Sequence, residues 1–170
     1  MDKLLGSPAV RQFQAADPFG GRGFLHAKIV LMKYILNTDG GARGNPGPAG
    51  IGFVISDGTT VVKKGCAYIG ETTNNQAEYE ALIRALVELE TVVSEATRAD
   101  VLVEVRMDSE LVVKQLRKEY KVKDKGLKEQ FAKVGVHIAQ FPHIVFIHVP
   151  REKNAEADEL ANEAMDMHEA

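Results

Sequence analysis

A chain of 170 residues suits one domain with an ordinary buried core and excludes a large multi-domain assembly. Apolar residues supply 45% of it and charged residues 26%, globular values that exclude wholesale disorder. Net charge is only −3, and the single cysteine, Cys66, excludes an internal disulfide framework and a cysteine-built zinc site. No run reaches the roughly 18–20 apolar residues of a membrane span. The best candidate, Phe24 to Leu36, is interrupted by Lys28 and Lys33 and lacks a signal-peptide cleavage pattern. These features lead us to expect a soluble cytoplasmic protein.

Residues 1–31 lack sustained periodicity and carry a Pro-Phe-Gly-Gly stretch, which predicts a flexible or artificially appended leader. The domain proper is expected over residues 32–170. A strand is predicted at Tyr34–Thr38, followed by a long glycine-rich turn from Asp39 to Pro48. Gly50–Ser56 and Thr60–Ile69 read as strands joined by an Asp57-Gly58 hairpin. Leu82, Leu86, Leu89 and Val93 recur at helical spacing, and Val101–Met107 is apolar enough for a central strand. Helices are expected over Ser109–Lys118 and Leu127–Gln140, a fifth strand over Ile144–Val149, and a last helix over Asn154–Met167 with Asn154 as its N-cap. The order β-β-β-α-β-α-α-β-α predicts an α/β fold with a mixed sheet and helices packed on it.

Charge is unevenly distributed. Lys114–Lys133 holds eight basic and three acidic residues, whereas 151–170 holds two basic and seven acidic ones. Either run, taken alone, could be a solvated helix face.

Four acids fall where an acid is costly. Asp39 and Asp108 are placed at the carboxyl ends of apolar strands, where open α/β sheets commonly bind ligands. Glu78 and Asp158 lie in register with the apolar faces of their helices. For Asp39 a turn residue, and for Asp158 an early-helix acid favoured by the dipole, are the ordinary alternatives. Four inward carboxylates make joint sense with cations between them, and oxygen-only ligands select magnesium or manganese.

Four segments carry a family resemblance: Thr38-Asp39-Gly40-Gly41-Ala42-Arg43-Gly44-Asn45-Pro46-Gly47-Pro48, Thr72-Thr73-Asn74-Asn75-Gln76-Ala77-Glu78, Met107-Asp108-Ser109 and Val149–Asp158. In this order they resemble the signature segments of the type 1 ribonuclease H family. The resemblance implies a five-stranded mixed sheet whose second strand is antiparallel to its neighbours. It implies that Asp39, Glu78, Asp108 and Asp158 hold two Mg²⁺ ions, or Mn²⁺, and catalyse hydrolysis of the RNA strand of an RNA–DNA hybrid to 5′-phosphate and 3′-hydroxyl ends. Asn45, Asn75 and Gln76 match minor-groove contacts, Asn45 and Thr73 match contacts to a DNA phosphate, and Arg43 belongs to the same substrate-facing set. Asn74 is expected to cap the helix.

The chain departs from many bacterial members in three ways. Arg151-Glu152-Lys153-Asn154 runs directly to Asp158 without the loop that carries a histidine, and His143 and His148 are expected to be strand residues rather than substitutes. This short form resembles the archaeal and related bacterial branch of the family, some of whose members also attack RNA–RNA duplexes, so double-stranded RNA is a second candidate substrate. Glu152 and His168 are candidates for a late step. The tryptophan-bearing basic protrusion is missing, and Lys121 and Lys123 in the Lys114–Lys133 cluster are expected to contact phosphate in its place. Residues 1–31 lack the pattern of an N-terminal hybrid-binding domain. No obligate protein partner and no membrane association are expected. The alternatives are an inactive nucleic-acid-binding module of the same fold and another nuclease of the superfamily.

Overall fold

The computed structural model describes residues 32–169. The predicted leader, residues 1–31, lies outside the described residues. Five strands form one sheet: β1 (Met32–Ala42), β2 (Gly47–Ser56), β3 (Val61–Thr72), β4 (Val101–Met107) and β5 (His143–His148). Their order is β3-β2-β1-β4-β5. β2 is antiparallel to both β1 and β3, while β1, β4 and β5 run parallel to one another. This is the mixed sheet expected, with β1 the strand at which the antiparallel half meets the parallel half.

Four helices complete the fold: α1 (Asn74–Val92), α2 (Glu110–Leu116), α3 (Lys125–Ile138) and α4 (Ala155–Glu169). The stripe of α1, with Leu82, Leu86 and Leu89 all 0% exposed, packs on Leu36, Ile55, Val103 and Val105 of the sheet. Each such leucine removed from water contributes roughly 1.5–3 kcal/mol. α2 and α3 extend the same layer through Val113, Leu116, Leu127 and Val134. α4 covers the opposite face of β1 to β3, and its inner side is built from Ala157, Ala161, Ala164 and Met165.

The glycine-rich segment is the main correction to the predicted elements. β1 does not stop at Thr38 but continues to Ala42, paired Gly40↔Ile51 and Gly41↔Gly50 with β2, so the actual turn is confined to residues 43–46. Within it Gly44 adopts φ +110°, a conformation only glycine takes without cost. Gly40, and Gly52 on β2, serve close approach rather than bending. A Cβ on Gly40 would lie 2.2 Å from the Ala77 carbonyl, and one on Gly52 would lie 2.2 Å from the Ala157 oxygen. They let α1 and α4 sit directly against the sheet from opposite sides. Asp39 is therefore an interior residue of β1, two positions past its last parallel pairing with β4.

Helix starts also differ in detail. α1 is capped by Thr73, not Asn74: the Thr73 hydroxyl accepts from the Gln76 N–H, and Gln76 Oε1 accepts from the Thr73 N–H, a reciprocal capping box. α2 ends at Leu116, two residues before the predicted boundary. Asn154 does precede α4, but its side chain points into the sheet and does not cap the helix.

Candidate active site

The four acids arrive from four elements. Asp39 comes from β1, Glu78 from the first turns of α1, Asp108 from the residue after β4, and Asp158 from the first turn of α4. Carboxylate oxygens of Asp39, Glu78 and Asp108 lie within 4.8 Å of one another. Asp158 lines the same open cavity of about 260 Å³ but turns one oxygen to Arg151, whose guanidinium donates to it at 2.6 Å. Asp39 and Glu78 are buried, at 7% and 5% exposure, whereas Asp108 and Asp158 are half-buried.

Burial and like charge act together here. Asp39 is pushed up to about 7, first by burial and then by the charges of Asp108 and Asp158, with Arg151 opposing. Glu78 is raised well above the usual carboxylate range by burial and then by Asp39 and Asp108; the Gly40 N–H bonded to it pulls the other way. Glu78 Oε2 is buried without a hydrogen-bond partner. An orphaned acceptor facing two further carboxylates, with only oxygen donors in the group, fits a hard divalent cation.

The sign of the resulting pH dependence is fixed by these shifts. Both groups bind protons more tightly when folded, so their contribution is fully present below the ordinary carboxylate values. It is lost as pH rises from about 4 to about 7. Without metal, the wild type is expected to lose stability relative to Asp39→Asn across that window, by up to a few kcal/mol, or roughly 2–4 °C per kcal/mol. Added Mg²⁺ should stabilise the wild type most above pH 7, where the acids are charged. Thermal melts of both proteins in EDTA and in Mg²⁺ check this, and parallel curves for the two would refute it.

Asn154 holds the cluster in place. It is 1% exposed; its Nδ2 donates to the Thr38 carbonyl at 2.9 Å and to Asp108 Oδ1 at 3.3 Å, while its Oδ1 accepts from Asn37. One amide thus joins β1, the end of β4 and the start of α4. Neither this role nor that of Arg151 was foreseen. The seven-residue spacing between Arg151 and Asp158 has no helical meaning, because a 3₁₀ turn at Arg151–Lys153 intervenes.

The other predicted residues are distributed as follows. Asn45 is exposed in the turn at 43–46, and its Oδ1 accepts from the Asn74 N–H at 3.2 Å. Asn74 Oδ1 in turn accepts from the Ala42 N–H, stitching the turn to the start of α1. Thr73 and Gln76 form the capping box, and Asn75 is half-buried in the first turn of α1. Arg43 lines the cavity and pairs with Asp166 of α4. Lys121 and Lys123 are exposed on the connector from α2 to α3, outside the cavity. His143 and His148 are the first and last residues of β5, and the His148 ring meets the Asp108 carbonyl oxygen at 3.2 Å. His168 stacks on Tyr68 of β3, with ring centroids 3.6 Å apart, and neither it nor Glu152 lines the cavity.

A five-stranded mixed sheet with a carboxylate cluster at the seam between its two halves defines the ribonuclease H-like class. A family model described as reverse transcriptase-like matches residues 37–164. A ribonuclease H1 isolated from compost, solved alone and also in complex with an RNA/DNA hybrid, superposes with a TM-score of 0.77 at 56% identity. That match covers 82% of this chain and all of the compost chain when solved alone. Ribonuclease HI of Halobacterium salinarum is 42% identical over 129 residues, 75% of this chain and 62% of its own length. A bifunctional protein of Mycobacterium tuberculosis is 44% identical over 137 residues, 79% of this chain. The chain spans 36% of that relative's length. The chain belongs to the type 1 ribonuclease H family.

Proposed function

We propose that this protein is an endoribonuclease that hydrolyses the RNA strand of RNA–DNA hybrids, with Asp39, Glu78, Asp108 and Asp158 as its metal-binding acids. The observation that carries this reading is the convergence of three carboxylates within 4.8 Å, two of them with raised proton affinity and one with an orphaned oxygen. The hybrid-bound state of the 56%-identical compost enzyme supports the choice of substrate.

Two Mg²⁺ ions, or Mn²⁺, when bound, would activate the attacking water and stabilise charge on the departing 3′ oxygen, leaving 5′-phosphate and 3′-hydroxyl ends. Asp39, Glu78 and Asp108 would supply ligand oxygens from their cluster, and Asp158, which lines the same cavity, would add its own. Asn154 fixes the Asp108 carboxylate against β1. Arg151 lends the cavity one positive charge and neutralises Asp158 in the absence of metal. Asn45, Asn75 and Gln76 sit at or beside the start of α1, where they face a minor groove together. Lys121 and Lys123 add phosphate attraction. A cytoplasmic location belongs to the same reading, supported by the lone half-buried Cys66; among the described residues no helix is long and apolar enough to cross a membrane.

A panel of labelled duplexes in Mg²⁺ tests the assignment: hybrid, RNA–RNA, DNA–DNA and a single-ribonucleotide junction. Cleavage of the hybrid's RNA strand is expected, and RNA–RNA cleavage would extend the substrate class. A chain that binds the hybrid without cutting it is an inactive module instead. We also propose that the domain begins at Met32, so that deletion of residues 1–31 leaves the melting temperature unchanged.

A further inference from the structure

Gln76 has an amide whose two ends are treated very differently. Its Oε1 accepts from Thr72 Oγ1 at 2.7 Å, from the Thr73 N–H at 3.3 Å and from Thr73 Oγ1 at 3.0 Å. Three donors on one oxygen fix the carboxamide plane and direct Nε2 away from β3, toward the start of α3. What Nε2 meets there is Gly126, the second residue of α3. A Cβ at that position would lie 2.5 Å from Gln76 Nε2, closer than a methyl group can approach, with Asp124 Oδ1 at 3.3 Å and Gln76 Cδ at an ordinary 3.6 Å.

α3 is not free to retreat from such a clash. Leu127 and Val134 are buried at 8% and 0% exposure, Gln130 donates to Glu80 of α1, and His137 pairs with Glu90 of α1 at 2.8 Å. Asp124 caps α3 by accepting from the Leu127 N–H at 2.9 Å, which fixes the first turn itself. The conflict therefore falls on the Gln76 amide. Moving it sacrifices the three bonds to Oε1, and with them the side-chain half of the capping box.

We propose that Gly126 is a positioning residue for hybrid binding: its missing side chain lets the first turn of α3 seat against Gln76 and hold that amide where it donates to the minor groove. The inference rests on the reading of Gln76 as a groove contact given above. It also makes the basic connector and the amide one unit, because Lys121 and Lys123 precede the Asp124 cap by three residues and one residue. An acceptor presented by either strand, a base N3 or O2 or a 2′-hydroxyl, is the group Gln76 Nε2 would meet.

The test is a double-mutant cycle on the full chain. Fluorescence anisotropy with a labelled RNA–DNA hybrid gives Kd for wild type, Gly126→Ala, Gln76→Ala and the double variant, and steady-state cleavage gives kcat and KM. Gly126→Ala is expected to weaken binding roughly fivefold, the worth of one hydrogen bond, with the loss on KM rather than kcat. In the Gln76→Ala background the same substitution should have no further effect. Gly135→Ala is the matched control, since a Cβ there meets nothing within 4 Å and it changes only helix propensity. Equal losses from Gly126→Ala in both backgrounds, a loss shared by Gly135→Ala, or unchanged Kd would each overturn the proposal while leaving the nuclease reading intact. A wild type that does not bind the hybrid overturns both.

Discussion

Replacing Asp108 by asparagine is expected to lower hybrid cleavage by on the order of 10³-fold or more, while the metal-free protein becomes more stable. The two effects have one cause. The Asp108 charge is among those that raise the proton affinity of Asp39 and Glu78, so removing it relieves repulsion in the empty cluster. Asparagine keeps an oxygen for the 3.3 Å bond from Asn154 Nδ2, so the local fold survives. Loss of activity accompanied by a higher melting temperature in EDTA, and a smaller gain on adding Mg²⁺, is the expected pattern. A variant that cleaves within tenfold of wild type would remove Asp108 from the chemistry.

Gly40→Ala is expected to be strongly destabilising, among the most damaging alanine substitutions at the described glycines. Its Cβ would meet the Ala77 carbonyl carbon and oxygen at 2.2 Å and the Glu78 nitrogen at 2.5 Å, all backbone atoms of α1. Neither partner can rotate away, so α1 must lift from β1. Overpacking of this kind costs about 1–3 kcal/mol or more, roughly 2–4 °C per kcal/mol in a domain of this size. The displaced helix carries Glu78, whose carboxylate also accepts from the Gly40 N–H. Stabilisation by Mg²⁺ should therefore fall along with the melting temperature. Gly41→Ala provides the contrast, since its Cβ would meet Met165 Cε at an ordinary 3.7 Å. Similar melting curves for the two alanine variants would show that this contact is not what sets the distance between β1 and α1.

Much of this architecture is legible from periodicity. The Leu82, Leu86, Leu89 stripe, the β-branched run at Val101–Met107 and the Asp57-Gly58 turn each encode their element locally, and the structure has each where it was expected. Glu78 and Asp158 could be read as acids in register with an apolar helix face and Asp39 and Asp108 as acids at strand ends, but it was the resemblance of the four signature segments that joined them into one set. Features decided by distant partners were not readable. Gly40 looks like a turn former, and Gly50 and Gly52 like indifferent strand residues, until the helices that lie on them are known. Asn154 has the chemistry of a helix cap, yet its partners are Asn37, Thr38 and Asp108, more than 40 residues away along the chain. Thr73 and Asn74 are both good caps, and the choice between them turns on Gln76 three residues after Thr73.

The alanine-and-glycine seam beneath α4 has a consequence for how the protein fails. Small side chains remove little apolar surface from water, so this helix gives up little burial for its length when it detaches. At its outer edge it is tied by exposed pairs, Lys64 with Glu156 and Arg43 with Asp166, which hold weakly and less so in salt. Sub-global opening of α4 would carry Asp158 off while the leucine-rich layer on the other side of the sheet stays closed. Warming or high ionic strength would then silence the nuclease at temperatures where spectroscopy still reports a folded protein.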